Sequence, residues 1–134
     1  MAVQTIAILM PGDMGHGCAI AFRQNGFRVV TNLTGRSERT RGLAAKAEIE
    51  DLGSFEEVAR QSDLVLSILP PENALEQARV FADAMLAVDV NPPYVDCNAI
   101  APATAEKVGA EIARAGASFT DGGIIGQNPV TENG

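Results

Sequence analysis

Residues 8 to 17 read ILMPGDMGHG, an apolar run that stops at Pro11 and passes into Gly12, Gly15 and Gly17. Glycines placed this way let a backbone come close to a phosphate. A helix opening behind them aims its free N–H groups and the positive end of its dipole at the same anion. Gly12 suits the close approach, and Gly15 suits tight packing of the helix on the strand. Met10 stands where a dinucleotide-binding loop of the form G-x-G-x-x-G carries its first glycine, whose role is the tight turn. Pro11, with its fixed φ, can make that turn another way. The plainer alternative is an ordinary strand-to-helix connection, where glycines are common. Asp13 would be repelled by a pyrophosphate if it pointed inward, so it is expected to face solvent. No carboxylate partner for His16 is recognisable, which points to a surface or pocket-edge role. Cys18 and Cys97 lack metal-ligand spacing and read as small buried hydrophobes, with a redox pair as the alternative.

The second candidate segment is TNLTGRSERT, residues 31–40. A loop that binds NAD is followed, about 20 residues on, by an acid that holds the ribose 2′-hydroxyl. Here Asn32–Thr34 contains no acid. Thr34 joins the candidate set in its place, and Arg36, Arg39 and Arg41 follow, with Ser37 among them. From Arg28 to Lys46 inclusive there are five basic residues against the single acid Glu38. A guanidinium can grip a 2′-phosphate bidentately, and Ser37 can add a hydroxyl or a helix-start amide. The missing acid and the arginines agree, so NADP is expected over NAD. The alternative is a solvated helix face.

These residues need a scaffold, and the chain spells one out. Continuous apolar runs predict strands over 3–10, 27–33, 63–70, 93–99 and 117–121, with a short one at 47–51. Between them lie helical patterns. One opens at the glycine loop and carries Met14, Cys18, Ala21 and Phe22 on one face. A second, capped by Ser37, spans 37–47, and a third opens at Ser54 with Glu57 as a capping-box signature. A fourth starts at Pro71 with Ala74, Leu75, Ala78, Phe81, Ala82 and Met85 at helical spacing. The last covers 102–116, with Gly116 closing it. Strands alternating with helices throughout predict an α/β fold, a Rossmann-type doubly wound parallel sheet in a single domain, residues 1–125. Residues 126–134 are polar and aperiodic and read as a connecting tail. In such sheets ligands sit beyond the carboxyl ends of the strands, where the strand order reverses.

Composition narrows the partners. The 134 residues carry a net charge of −7, one Tyr and no Trp, which speaks against nucleic acid and anionic membranes. No apolar run approaches the ~20 residues of a membrane span. The start, MAVQTIAILM, lacks the basic flank of a signal peptide. Two isolated cysteines fit a reducing, cytoplasmic setting, and no metal site is expected.

Together ILMPGDMGHG, GRSERTRGLA, DLVLSILPP, YVDCNAIAPATA and DGGIIG resemble the 3-hydroxyisobutyrate and 6-phosphogluconate dehydrogenase superfamily of β-hydroxyacid dehydrogenases. The likeness is greatest to its bacterial 6-phosphogluconate dehydrogenase-like branch of NAD(P)-dependent oxidoreductases. It runs from about residue 3 to 128. Carried onto this chain, it implies that Met14 and Gly15 belong to the cofactor loop and that Leu69 and Pro70 lie beside the cofactor. It places Asn98 near the nicotinamide and has Asp121, Gly122 and Gly123 open the substrate-contacting segment. Two departures stand out. The superfamily serine four residues beyond that aspartate is Ile125 here. The helical domain that supplies the catalytic lysine in relatives has no counterpart in these residues, and neither Lys46 nor Lys107 has that lysine's context. No catalytic residue is therefore assigned. The expectation is the cofactor half of an NADP-linked hydride-transfer enzyme acting on a small β-hydroxyacid-like molecule and inactive alone. A non-catalytic NADP-binding module, or a subunit completed by a separate helical chain, remains the alternative, and homo-oligomer formation stays open.

Overall fold

All five residues of the first strand, Thr5–Leu9 (β1), are buried, because helices cover the sheet on both faces. The computed structural model describes residues 3–9, 13–34, 37–68, 71–97 and 100–121. After β1 come α1 (Asp13–Gln24), β2 (Arg28–Thr31), α2 (Glu38–Lys46), β3 (Glu50–Asp51) and α3 (Phe55–Gln61). β4 (Leu64–Ser67), a 3₁₀ turn (Pro71–Asn73), α4 (Ala74–Val88), β5 (Tyr94–Asp96), α5 (Pro102–Arg114) and β6 (Phe119–Asp121) complete the order. The predicted strands and helices are all present. The six strands form one parallel sheet in the order β3-β2-β1-β4-β5-β6. This is the doubly wound Rossmann arrangement.

Alternate residues of each strand feed two cores. On one face, Ala7, Leu9, Val30, Val65 and Tyr94 pack with Val58 of α3, Phe81 and Met85 of α4, and Val108 and Ile112 of α5. On the other, Ile6, Ile8, Val29 and Leu66 pack with Cys18 and Ala19 of α1 and Ala44 of α2. The inner face of α4 carries Ala74, Ala78 and Ala82, all fully buried. The rings of Phe55, Phe81 and Tyr94 meet in sequence beside that face, with centroids 6.1 and 5.9 Å apart. Such aromatic pairs add to the stabilisation from burial alone.

Local chemistry sets the element ends. Ser37 and Ser54 cap α2 and α3 by accepting the amides of Thr40 and Glu57. The capping box at Ser54 is half formed. The Glu57 carboxylate turns to Arg60, 2.9 Å, and Gln61, 2.7 Å, on its own helix. Pro71 does not open α4 directly but begins the 3₁₀ turn ahead of it. Gly26 and Gly116 take positive φ after α1 and α5, the latter as its placement suggested, while Glu48 and Asp89 take it without glycine.

At the amino edge of the sheet, Asp63 Oδ2 accepts the amides of Gln4 and Thr5, each at 3.0 Å. These two bonds hold the Asp63 carboxyl below the ordinary carboxylate range. A depressed folded pKa means that the stabilisation is present above the unfolded value and is lost as pH falls through the folded one. Asp63→Ala should therefore lower the melting temperature at pH 7 by about 2–4 °C. The gap between variant and parent should close as the pH is taken below about 4. A gap that persists unchanged at pH 2.5 would refute the assignment.

Candidate functional site

The strand order reverses between β1 and β4. The chain runs outward from β1 through β2 to β3, then returns to β4 on the other side. At such a point the connections leave in opposite directions and open a crevice beyond the carboxyl ends. Leu9, Thr31, Ser67, Asp96 and Asp121 end the strands on that edge. Helix α1 starts there at Asp13, with Gly15 buried in its first turn. Its first amides have no partner within the helix and face the crevice edge. One residue on, the Nε2 atom of His16 is buried without a protein hydrogen-bond partner. A helix start, a glycine buried in its first turn and an unsatisfied buried nitrogen fit a polar ligand at this edge.

The predicted residues distribute along the edge as follows. Asp13, Met14 and Gly15 form the head of α1, and Pro11 and Gly12 lie outside the described residues. Thr34 and Ser37 lie beyond β2. The Thr34 hydroxyl donates to the Gly53 carbonyl at 3.0 Å, and its amide donates to Asn32 Oδ1 at 3.0 Å. The Ser37 hydroxyl accepts the Thr40 amide and donates to Thr40 Oγ1 at 3.1 Å. Arg36 lies outside the described residues, as do Leu69, Pro70, Asn98, Gly122, Gly123, Ile125 and the tail 126–134. Asp121 closes β6, exposed and in register with Asp96. From β2 to β6 is four strand spacings, about 19 Å. The Thr34–Ser37 and Asp121 ends are therefore two ends of one long crevice, not one cluster.

Two features escaped the sequence reading. The first is Asp96, fully buried at the end of β5 and in register with Ser67, also fully buried. An acid inside the apolar run YVDC was its only signal. Its charge adds to the burial that raises the neighbouring Tyr94 hydroxyl and Cys97 thiol. The second is Asp51, which β3 places beside the end of β2, where its Oδ1 accepts the Leu33 amide at 3.1 Å. Arg41, grouped by sequence with the phosphate-binding candidates, donates to the Leu33 carbonyl at 2.8 Å and faces Asp51 at 3.9 Å.

The comparisons with known proteins agree with this geometry. Residues 5–134 match the family described as the NAD binding domain of 6-phosphogluconate dehydrogenase. The chain belongs to that family. An uncharacterised 28.5 kDa protein of Methanothermus fervidus is 29% identical over 106 residues, covering 79% of this chain and 39% of the relative. Among solved structures, a conserved protein of unknown function, described as structurally similar to 3-hydroxyacid dehydrogenases, superposes with a TM-score of 0.76. It is 29% identical, over 87% of this chain and 42% of that one. The 3-hydroxyisobutyrate dehydrogenase of Mycobacterium tuberculosis, solved with L-serine, shares the fold with a TM-score of 0.71 and 22% identity, over 88% and 39% of the two chains. The chain thus spans about two-fifths of the length of these relatives. In doubly wound sheets of this kind dinucleotides bind in the crevice at the strand-order reversal. Among the described residues no helix is long and apolar enough to cross a membrane.

The two cysteines belong to the core behind the crevice. Cys18 is buried in α1 and Cys97 is half-buried after β5. Burial pushes the Cys18 thiol up to about 11. It pushes the Cys97 thiol up to about 12, with Cys18 and Asp96 adding to the rise. Both should therefore stay protonated and unreactive at neutral pH. An aromatic disulfide reagent at pH 7.5 should modify them more than about 100-fold slower in the folded protein than in denaturant. Rapid labelling of either thiol in the folded state would contradict this.

Proposed function

We propose that this chain is the NADP(H)-binding part of an oxidoreductase that passes a hydride between the nicotinamide and a β-hydroxyacid-like small molecule. Family membership carries the reading, supported by the start of α1 at the strand-order reversal. The preference for NADP rests on the end of β2. Asn32, Leu33 and Thr34 offer no carboxylate to a ribose 2′-hydroxyl, and the basic stretch that contains Arg36 follows.

In this reading the backbone of Pro11, Gly12, Asp13, Met14 and Gly15 holds the pyrophosphate at the head of α1. Thr34, Arg36 and Ser37 receive the adenosine phosphate. Leu69 and Pro70 flank the cofactor, Asn98 sits near the nicotinamide, and Asp121, Gly122 and Gly123 approach the substrate. The cofactor supplies the hydride chemistry, and the chain binds it, orients it and shields it. No residue here is assigned the proton transfer, which falls to the part of the relatives that these residues do not match.

Calorimetry tests the binding half. NADPH should bind more tightly than NADH by about 1.5–3 kcal/mol, the weight of a charge-assisted hydrogen bond. Arg36→Ala should erase most of that difference, and Gly15→Val should abolish binding of both by placing a side chain between helix, strand and pyrophosphate. Equal affinities in the unaltered protein would overturn the NADP assignment. Normal NADPH binding by Gly15→Val would reduce the loop to a turn.

A steady-state assay tests the catalytic half. The purified 134-residue chain should bind cofactor yet show no measurable turnover of β-hydroxyacids. Lack of a positioned general acid or base costs about 10²–10⁴ in rate, and lack of substrate positioning costs several kcal/mol more. Robust turnover would assign catalytic work to Lys46, Lys107 or His16 and refute the division of labour.

A further inference from the structure

The chain leaves β2 through a turn that a neighbouring strand ties down. Asp51, the last residue of β3, stands in register with Thr31. Its Oδ1 accepts the amides of Leu33, at 3.1 Å, and Gly53, at 3.0 Å. Its Oδ2 faces Arg41 Nη1 at 3.9 Å. Arg41 reaches back from α2 and donates through Nη2 to the Leu33 carbonyl at 2.8 Å. Leu33 therefore has its amide and its carbonyl held by the two members of one ion pair. Thr34 adds a second tie through its hydroxyl on the Gly53 carbonyl. On the far side of the turn, the Ser37 cap fixes the start of α2.

We infer that Arg41 and Asp51 are positioning residues for recognition of a ribose 2′-phosphate: they set the course of the β2–α2 turn and do not touch the phosphate themselves. The inference rests on the NADP reading above. Drawing Arg41 onto a phosphate would strip the Leu33 carbonyl and the Asp51 carboxylate of a charged donor. Asp51, for its part, already receives two amides and faces a guanidinium, which turns it away from the ribose-binding role that an acid near the end of β2 plays in NAD-specific folds. The acid and the base meet each other and the Leu33 backbone, so Leu33 is held from both sides without presenting a carboxylate to the ligand.

The test uses two probes that differ only in the phosphate at issue, adenosine 2′,5′-bisphosphate and adenosine 5′-monophosphate, titrated calorimetrically into the purified protein. Arg41→Ala should weaken the bisphosphate about fivefold, the weight of one ordinary hydrogen bond, and change the monophosphate less than about twofold. Asp51→Ala should act in the same direction, although it removes a negative charge. The double variant should be no worse than the poorer single one, as expected for two residues serving one brace. If Arg41 were instead a phosphate ligand, Asp51→Ala would tighten the bisphosphate by freeing the guanidinium. That outcome overturns the inference, as does an equal loss for both probes or no loss for either. Should either alanine variant fail to fold, Arg41→Gln and Asp51→Asn keep a neutral hydrogen-bonding group and carry the same expected direction. Failure of the NADP reading itself would appear separately, as equal affinity of the unaltered protein for the two probes.

Discussion

Everything in this structure depends on β1 being enclosed on four sides. β2 and β4 occupy its two edges, α1 with α2 covers one face, and α3, α4 and α5 cover the other. A strand in that position can expose no side chain, so Ile6 and Ile8 feed one core while Ala7 and Leu9 feed the other. The buried Thr31 hydroxyl, donating to the Ile8 carbonyl at 2.6 Å, satisfies one of the few polar groups carried into this region. With the sides filled, only the two ends of β1 are left open, and in doubly wound sheets it is the carboxyl end that meets the ligand. The strand order reverses beside it, so the neighbouring connections diverge there. The crevice follows from that reversal.

The second constraint acts at the end of β2, where electrostatics is divided between scaffold and site. Arg28 and Glu50 form a two-point pair, at 2.7 and 2.9 Å, that joins the start of β2 to β3 on the exposed side. Asp51 and Arg41 do the corresponding work at the other end of the same two strands. Exposed ion pairs of this kind add little stability singly. Their effect is directional, because β3 is only two residues long and has few ladder bonds with which to hold its register. The short edge strand is pinned at both ends by charge.

How much of this was readable in advance follows from the range of each interaction. The strands showed as apolar runs and the caps at Ser37 and Ser54 as local signatures, since both depend on neighbours within four residues. The left-handed turns at Glu48 and Asp89 had no glycine to mark them. Glu57 looked like the second half of a capping box, but Arg60 and Gln61 on the next turn competed for it. The arginine stretch was the most instructive case. Arg36, Arg39 and Arg41 were grouped as one basic stretch, with Arg36 taken as the phosphate-binding member. Arg41 was set apart by an acid ten residues away that reached it only through the pairing of β2 with β3. Asp96 was hidden for the same reason, because its burial depends on β4 and β6 closing over it from both sides.

An acidic chain that binds an anionic dinucleotide has to settle an apparent conflict of charge. The net charge of −7 is spread over the whole surface, and at physiological ionic strength charges more than about 8 Å away are largely screened. On the proposed reading, what an approaching phosphate meets is local: the first amides of α1 and the basic stretch after β2. Of the acids along the same edge, Asp51 beside β2 faces Arg41, and Asp96 and Asp121 end β5 and β6. Charged residues are thus unevenly placed in the sequence and fold, with a basic stretch after β2 and the acids Asp96 and Asp121 at the ends of β5 and β6. On the proposed reading this gradient orients the ligand before any side chain closes on it. The phosphates are drawn toward β2, and the oxidised nicotinamide, which bears a positive charge, is left at the acidic end. On that reading the strand order that opens the crevice also sets which end of it is which, and fold and charge together specify one direction of binding.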